Sequence, residues 1–230
     1  MPVSRVRAVT FDAGSTLIHW WAYTPHRLGR LYRRAGIEIT DDESCEATRA
    51  CMRYRQQVAE PTDHAGRARW WREYNAVGLR AAGVTGDVDV LCDRIHDSVR
   101  GLPAEFVPDP DVPAVLDALR TRGVVLGVVS NWEGDLRQRL EAMGIAHYFD
   151  FIGDSAVLGV SKPNPEIYLI ACRALGVAPG ECLHIGDRPE SDVEVARAVG
   201  AAPVLYDPLG WFDSDCATVR RLMDVLPLVG

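Results

Sequence analysis

The stretch AVTFDAGSTL, residues 8–17, ends an apolar run on one acidic side chain, Asp12, and continues with small residues. A short apolar run bounded by turn-forming residues is typical of a buried strand, so we predict a strand over residues 6–11. Four later runs end on a polar side chain in the same way: VVLGVVS (124–130), FDFIGD (149–154), CLHIGD (182–187) and APVLYD (202–207). Each is predicted as a strand.

The region between the first strand and the second has helical periodicity. In TPHRLGRLYRRAG, Thr24 is a predicted helix cap and Pro25 suits a first turn. Further helices are predicted near 41–59, 62–82 and 86–100.

Beyond this helical insertion, strands alternate with amphipathic helices. That alternation predicts a parallel sheet with helices on both faces. We therefore predict an α/β fold with two parts: a core of residues 1–20 and 104–230, and a helical insertion of residues 21–103.

Composition limits the partners of this chain of 230 residues. The 47% hydrophobic content is enough for a substantial core. A formal charge of -7 disfavours nucleic acid and anionic membranes, which require basic surfaces, so we expect a small-molecule partner. We expect a cytoplasmic protein with reduced thiols, because we find no signal-like segment, no run of 18 apolar residues and no CxxC pair.

Polar side chains at strand ends are the main functional signal. Asp12, Ser130, Asp154 and Asp187 each close a predicted strand, and ligands of parallel sheets bind at the carboxyl ends of the strands. Two carboxylates brought together there, Asp12 and Asp187, would suit Mg²⁺, a hard cation that prefers oxygen ligands. Lys162, the only lysine of the chain, would balance their charge.

Four motifs in order resemble those of the haloacid dehalogenase superfamily of hydrolases. FDAGSTL resembles the first motif with Asp12, VVSN the second with Ser130 and Asn131, SKPNPEIY the third with Lys162, and IGDRPESD the fourth with Asp187 and Asp192. The resemblance implies a Rossmann-like parallel-sheet core with an inserted α-helical cap domain.

The resemblance also implies roles for these residues. Asp12 would be the nucleophile that forms an aspartyl-phosphate, with Mg²⁺ held by Asp12, Asp187 and the backbone carbonyl of Gly14. Lys162 would stabilise charge at the nucleophile and at phosphorus. The phosphoryl oxygens would be held by Ser130 and the amide of Asn131, and Asp192 would orient Lys162 or a metal-bound water. The implied activity is a phosphatase for a small phosphorylated metabolite.

One position departs from the family pattern. Phosphatases of the family usually carry a second aspartate two residues after the nucleophile, which protonates the leaving oxygen, and here that position is Gly14. His19 and His26 are the nearest titratable candidates, although structural roles for both are the simpler interpretation.

The missing acid leaves three interpretations open. A magnesium-dependent phosphatase fits the complete fourth motif. A 2-haloacid dehalogenase-like hydrolase fits Gly14, because a halide leaves without a proton. A non-catalytic protein that retains the fold is the third. A phosphonatase is disfavoured, because it needs a lysine in the cap for a Schiff base and the cap has none.

Specificity is expected to come from the cap, which would close over the site. HWWAYTPHR (19–27) and RARWWREY (67–74) carry aromatic and basic side chains that suit either a substrate site or the cap core. Trp132, directly after VVSN, is predicted either to floor the pocket or to pack on the following helix. The sequence does not determine the oligomeric state, and we expect a monomer or a homodimer.

Overall fold

The computed structural model describes residues 6–20, 26–58, 61, 64–99 and 106–229. The chain divides into two compact units. The core unit comprises residues 1–19 and 106–230, and the helical unit comprises residues 20–105. Our predicted boundaries, after residues 20 and 103, fall beside or within segments 21–25 and 100–105, which lie outside the described residues.

The core unit contains a six-stranded sheet with the order β5-β4-β1-β6-β7-β8, in which every neighbouring pair is parallel. The α/β fold class is therefore confirmed. β1 and the central strands are almost fully buried, which explains why they appear in the sequence as continuous apolar runs. The strands are β1 (Ala8–Phe11), β4 (Val125–Ser130), β5 (Phe151–Asp154), β6 (Cys182–Gly186), β7 (Ala202–Tyr206) and β8 (Ala217–Val219).

Helices of the core unit connect these strands and pack on the sheet. The apolar stripe of α8, which includes Ile167 and Ala171, is buried in one cluster with Ala8 of β1 and Val129 of β4. The helices are α5 (Val112–Thr121), α6 (Leu136–Ala142), α7 (Ser155–Leu158), α8 (Glu166–Leu175) and α9 (Glu194–Ala198).

Three strands were not predicted. β2 (Ile18–Trp20) and β3 (Phe106–Pro108) form a separate two-stranded sheet, and β8 extends the main sheet. Each is three residues long, which is too short to display a periodicity.

The helical unit contains α1 (Arg27–Arg34), α2 (Asp41–Gln57), α3 (His64–Ala81) and α4 (Val88–Val99) around an apolar cluster that includes Leu28, Tyr32 and Leu79. Helix α2 begins with a capping box in which Thr40 and Glu43 bond each other's backbone N–H. The predicted cap Thr24 and first-turn Pro25 lie outside the described residues.

Among the residues described, no helix combines the length and apolar character needed to cross a membrane.

Candidate active site

The carboxyl ends of β1, β4 and β6 bring the predicted site residues to one edge of the sheet. Asp12 directly follows β1, and its backbone N–H donates to the carbonyl of Ile185 on β6 at 2.8 Å. Ser130 is the last residue of β4, and Asp187 directly follows β6. The parallel register thus places these side chains where such sheets bind ligands.

Lys162 joins two of the acidic residues. Its ammonium donates to Asp12 Oδ1 at 2.5 Å and to Asp192 Oδ1 at 2.6 Å, and all three side chains are at least nine-tenths buried. The backbone of Lys162 is held by the Asn131 side chain, which accepts from its N–H at 2.7 Å and donates to its carbonyl at 2.8 Å. Asn131 therefore positions Lys162, and its predicted contact with substrate stays a prediction.

A second layer, absent from the sequence prediction, supports Asp192. His184 Nε2 lies 3.3 Å from Asp192 Oδ1 and 2.7 Å from the Tyr168 hydroxyl, and His184 Nδ1 lies 2.9 Å from Thr10 Oγ1. The other oxygen of Asp192 accepts from the backbone N–H of Arg188 at 3.0 Å. The available sequence signal was a histidine inside an otherwise apolar, buried strand.

Electrostatics separate Asp192 from the other two carboxylates. Burial would raise the pKa of Asp192, but Lys162 and His184 outweigh it and lower that pKa well below its usual range. Burial raises the pKa of Asp12 despite the opposing effect of Lys162, and Asp192 raises it further. Burial, together with Asp12 and Asp192, raises the pKa of Asp187 to about 7, although Arg188 opposes this.

Lys162 stays charged in this environment. Burial favours its neutral form, but Asp12 and Asp192 outweigh that effect and raise the pKa of the ammonium. The site thus contains one buried cation, Lys162, and two carboxylates, Asp12 and Asp187, whose raised pKa values show that their ionised forms are disfavoured.

These carboxylates fit a divalent cation. Besides burial, the negative charge of Asp12 contributes to the raised pKa of Asp187, and carboxylate oxygens are the ligands that Mg²⁺ prefers. Nowhere in the described part of the chain do three or more His, Cys, Asp or Glu side chains form a group that could hold a metal. The predicted site requires only two such side chains, because its third ligand is the carbonyl of Gly14.

Gly14 lies against an aromatic ring. A Cβ built on Gly14 would stand 3.5 Å from Cζ3 of Trp132, which is an ordinary van der Waals distance. Gly14 has no positive φ, whereas the next residue, Ser15, has φ 65°. The turn after Asp12 therefore places its left-handed residue at Ser15, and the backbone of Gly14 is open to other residues.

Two further predicted candidates have structural contacts. His19 is buried, and its Nε2 pairs with Asp109 Oδ2 at 3.0 Å. Asp154, the fourth strand-end residue, accepts from the backbone N–H groups of Gly134, Leu136 and Ala156 at 2.9–3.2 Å. Asp154 thus holds the loop after β4. Aspartates at strand ends commonly have such a capping role.

His26 is the exposed residue preceding α1 in the helical unit. The aromatic segments of that unit are partly core: Trp70 is buried and stacks on Tyr74 with centroids 5.2 Å apart. Trp71, by contrast, is half-buried and lines a cavity of about 600 Å³ within the helical unit, together with Trp20 and Arg27. Residues 21–25 of the first aromatic segment lie outside the described residues.

Comparison with known proteins agrees with the motifs. The model of the haloacid dehalogenase-like hydrolase family matches residues 6–200. A phosphoserine phosphatase from Thermus thermophilus is 38% identical over 221 residues, covering 88% of this chain and 89% of the relative. A glyceraldehyde 3-phosphate phosphatase from Methanopyrus kandleri is 29% identical, covering 86% of this chain and 83% of the relative.

A solved structure gives the same fold. A haloacid dehalogenase-type phosphatase from Thermococcus onnurineus superposes with a TM-score of 0.61 at 24% identity, and the match covers 98% of each chain. The family assignment made from the four motifs is confirmed: this chain is an enzyme of the haloacid dehalogenase-like hydrolase family.

Proposed function

We propose that this enzyme is a magnesium-dependent phosphatase that hydrolyses a small phosphorylated metabolite through an aspartyl-phosphate on Asp12. The observation that supports this most strongly is the ammonium of Lys162, which is buried between Asp12 and Asp192 at 2.5 and 2.6 Å. A carboxylate fixed at a strand end by a buried cation is a positioned nucleophile. The relatives named as phosphatases support the same chemistry.

The reaction proceeds in two displacements at phosphorus. The Asp12 carboxylate attacks phosphorus, an oxygen–phosphorus bond forms, and the bond to the leaving oxygen breaks. Water then attacks the phosphoryl group, which releases inorganic phosphate and restores the carboxylate. Splitting hydrolysis in this way replaces one difficult step with two easier ones.

Lys162 serves both displacements. Its charge stabilises the Asp12 carboxylate before attack and the phosphoryl oxygens as negative charge moves onto them. The contact uses only one carboxylate oxygen, Oδ1, so Lys162 can hold Asp12 while the other oxygen attacks. Asp192, itself held by His184 and the Arg188 amide, keeps the ammonium in place.

Asp12, Asp187 and the carbonyl of Gly14 would hold the cation. Bound there, Mg²⁺ would neutralise phosphate charge and orient the phosphoryl group in line with the nucleophile. The Ser130 hydroxyl, at the end of the neighbouring strand β4, and the backbone N–H of Asn131 would bind phosphoryl oxygens.

The substrate class is small phosphate monoesters. The similarity to a phosphoserine phosphatase makes phosphoserine the first compound to test. Activity should be measured by phosphate release, with and without Mg²⁺, on phosphoserine, glyceraldehyde 3-phosphate and an aryl phosphate. The proposal predicts release that requires Mg²⁺ and disappears in Asp12→Asn. No release from any ester, or equal release by the variant, would contradict it.

A second candidate, a 2-haloacid dehalogenase-like hydrolase, is favoured by one observation, the absence of a carboxyl at Gly14. In that reaction Asp12 would attack carbon and chloride would leave without a proton. Chloroacetate in the same assay distinguishes the two candidates, because dehalogenation releases chloride without need of Mg²⁺. An inactive protein in both assays would favour the non-catalytic interpretation.

A further inference from the structure

The ring of Trp132 lies near Gly14, in the turn that follows Asp12, and the phosphatase chemistry above does not use it. Gly14 is two residues after Asp12, and the Cβ position of Gly14 is 3.5 Å from Trp132 Cζ3. Trp132 and Gly14 are both half-buried, so each residue is partly accessible to solvent. An aromatic surface therefore adjoins the turn that carries Asp12.

Trp132 is fixed by the loop that carries it. Its indole N–H donates to Asp135 Oδ1 at 2.7 Å, and Asp135 pairs with Arg139 at 2.7 Å. Its backbone N–H donates to Ser155 Oγ at 3.0 Å. Asp154 accepts from the next amides of the same loop, as described above. A side chain held at both ring and backbone presents a preformed surface, which reduces the entropic cost of binding.

A second ring extends this surface. Phe106 packs against Trp132 with centroids 5.2 Å apart and an interplanar angle of 56°. The guanidinium of Arg139 lies 4.9 Å from the centre of the Phe106 ring. Phe106 is also half-buried, so the two rings form a continuous, partly open aromatic wall. We call Trp132, Phe106 and the backbone of Gly14 the aromatic subsite.

We propose that the aromatic subsite binds a planar aromatic leaving group, so that the preferred substrates are phosphate monoesters of phenols or similar aromatic alcohols. This inference rests on the proposed phosphatase function. It follows from the ring of Trp132, which lies near Gly14 and is extended by Phe106, because an aromatic group placed there would stack on Trp132.

The chemistry of Gly14 leads to the same substrate class. Without a carboxyl at position 14, the leaving oxygen departs with no proton from this position. A phenol, with a pKa of about 10 as in tyrosine, leaves as its anion far more readily than an alkyl alcohol. The missing acid and the aromatic wall thus favour one kind of leaving group.

Substitutions at positions 14 and 132 should also have non-additive effects on activity. The Cβ of Gly14→Asp would fit at van der Waals distance, but a carboxyl carried on that Cβ would compete with the ring for space. We therefore expect Gly14→Asp to gain more activity on alkyl phosphates when Trp132 is Leu than when Trp132 is present. Residues in direct contact are the ones for which such non-additivity is expected.

Phenyl phosphate and cyclohexyl phosphate form the matched substrate pair, since they differ in aromaticity and leaving-group basicity but little in size. Turnover of both should be compared in wild type, Trp132→Phe and Trp132→Leu, with Trp211→Leu, a tryptophan elsewhere in the core unit, as control. Trp132→Leu should raise KM for phenyl phosphate about 3- to 10-fold with little change in kcat, and Trp132→Phe should lie between. Cyclohexyl phosphate and the Trp211 control should change little.

Binding separates this inference from the phosphatase proposal. In Asp12→Asn, calorimetry should show tighter binding of phenyl than cyclohexyl phosphate, and added Trp132→Leu should remove the difference while circular dichroism shows a folded protein. If that preference is found but wild type hydrolyses no ester, the phosphatase proposal fails and the subsite stands. Equal binding of the two esters overturns the subsite. A preference that survives Trp132→Leu and disappears in Trp71→Leu also overturns it, because the aromatic group would then bind in the helical unit.

Discussion

Two buried clusters of the core unit contain a histidine beside a carboxylate, and they differ in charge balance. In the structural cluster, His19, Asp109 and Tyr206, the Asp109 carboxylate accepts from three donors: His19 at 3.0 Å, the Tyr206 hydroxyl at 2.6 Å and the Asp111 N–H at 2.9 Å. In the site cluster, Asp12, Lys162, His184, Asp187 and Asp192, two carboxylates contact one buried ammonium, and burial together with the charges of those two carboxylates raises the pKa of a third, Asp187.

This difference in charge balance indicates which cluster is suited to catalysis. A buried carboxylate that is fully hydrogen-bonded contributes to stability and leaves no oxygen for a ligand. A cluster with surplus carboxylate costs stability until a cation binds. The pKa values of Asp12 and Asp187 are raised first by burial and then by neighbouring carboxylates, which reflects that cost. A histidine close to an aspartate therefore does not by itself distinguish a structural cluster from a catalytic one.

The largest effect is expected from Asp12→Asn in the site cluster. Turnover of phosphate esters should fall by roughly 10³-fold or more, because the nucleophile is gone. Thermal stability should hold or rise, because the substitution removes a charge that burial disfavours. Steady-state kinetics and a melting curve measure both. An active variant from a preparation free of contaminating phosphatase would show that Asp12 is not the nucleophile.

Lys162→Arg should have the next largest effect. The planar guanidinium cannot occupy the position of an ammonium that contacts Asp12 and Asp192 at 2.5 and 2.6 Å. We expect kcat to fall roughly 10²- to 10³-fold. Arg7→Lys, on the exposed pair with Glu181, is the matched control and should be active. Near-normal kcat in Lys162→Arg would place the third motif elsewhere.

Asp187→Asn should stabilise the metal-free protein, whereas most substitutions destabilise a fold. Because the folded-state pKa of Asp187 is raised from 3.8 to about 7, its ionised form destabilises the metal-free fold; this cost grows as the pH rises from 3.8 to about 7 and is fully present above that. In EDTA at pH 8 the variant should melt a few degrees above wild type, and the gap should narrow below pH 7 and close as the pH falls to about 4.

Mg²⁺ provides the second part of that test. It should raise the melting temperature of wild type at pH 8 and leave Asp187→Asn unchanged, since a ligand stabilises only the state that binds it. A variant that is less stable than wild type at pH 8, or equally stabilised by Mg²⁺, would contradict the assignment of Asp187 to the metal.

The smallest effect on activity is expected in the structural cluster. Asp109→Asn should lower the free energy of unfolding by about 1–3 kcal/mol, because it disturbs a buried acceptor that serves three donors. Its kcat should match wild type. Denaturant unfolding and kinetics together measure this. A large loss of kcat in a folded variant would move His19 and Asp109 into the catalytic machinery, and His19 would again be a candidate proton donor.

The sequence was sufficient for the parts of the site that obey a local rule. Asp12, Ser130 and Asp187 each follow an apolar run, and parallel strands bring such ends together. The same rule cannot separate Asp154 from Asp12. Their difference lies in the three backbone amides that bond Asp154; that of Ala156 is local, but those of Gly134 and Leu136 belong to residues that only the folded loop brings near.

The residues that support the site could not be predicted from the sequence, because pairing between strands far apart in the chain brings them together. Thr10 lies opposite His184 because β1 and β6 are in register, 174 residues apart in the chain. The contact between Trp132 and Gly14 likewise joins the loop after β4 to the loop after β1. No local pattern encodes either contact, since periodicity specifies which face of a strand is buried and not which partner meets it.

The most direct test of the central claim is to trap the phosphorylated enzyme. Enzyme mixed with excess phenyl phosphate and Mg²⁺ should be quenched in acid at millisecond intervals and its peptides analysed by mass spectrometry. Because Gly14 provides no base to activate water, the aspartyl-phosphate should accumulate, so phenol should appear in a burst with a matching phosphoryl group on the peptide that contains Asp12. Phenol released without phosphorylated Asp12, at a rate that Asp12→Asn also reaches, would contradict the account.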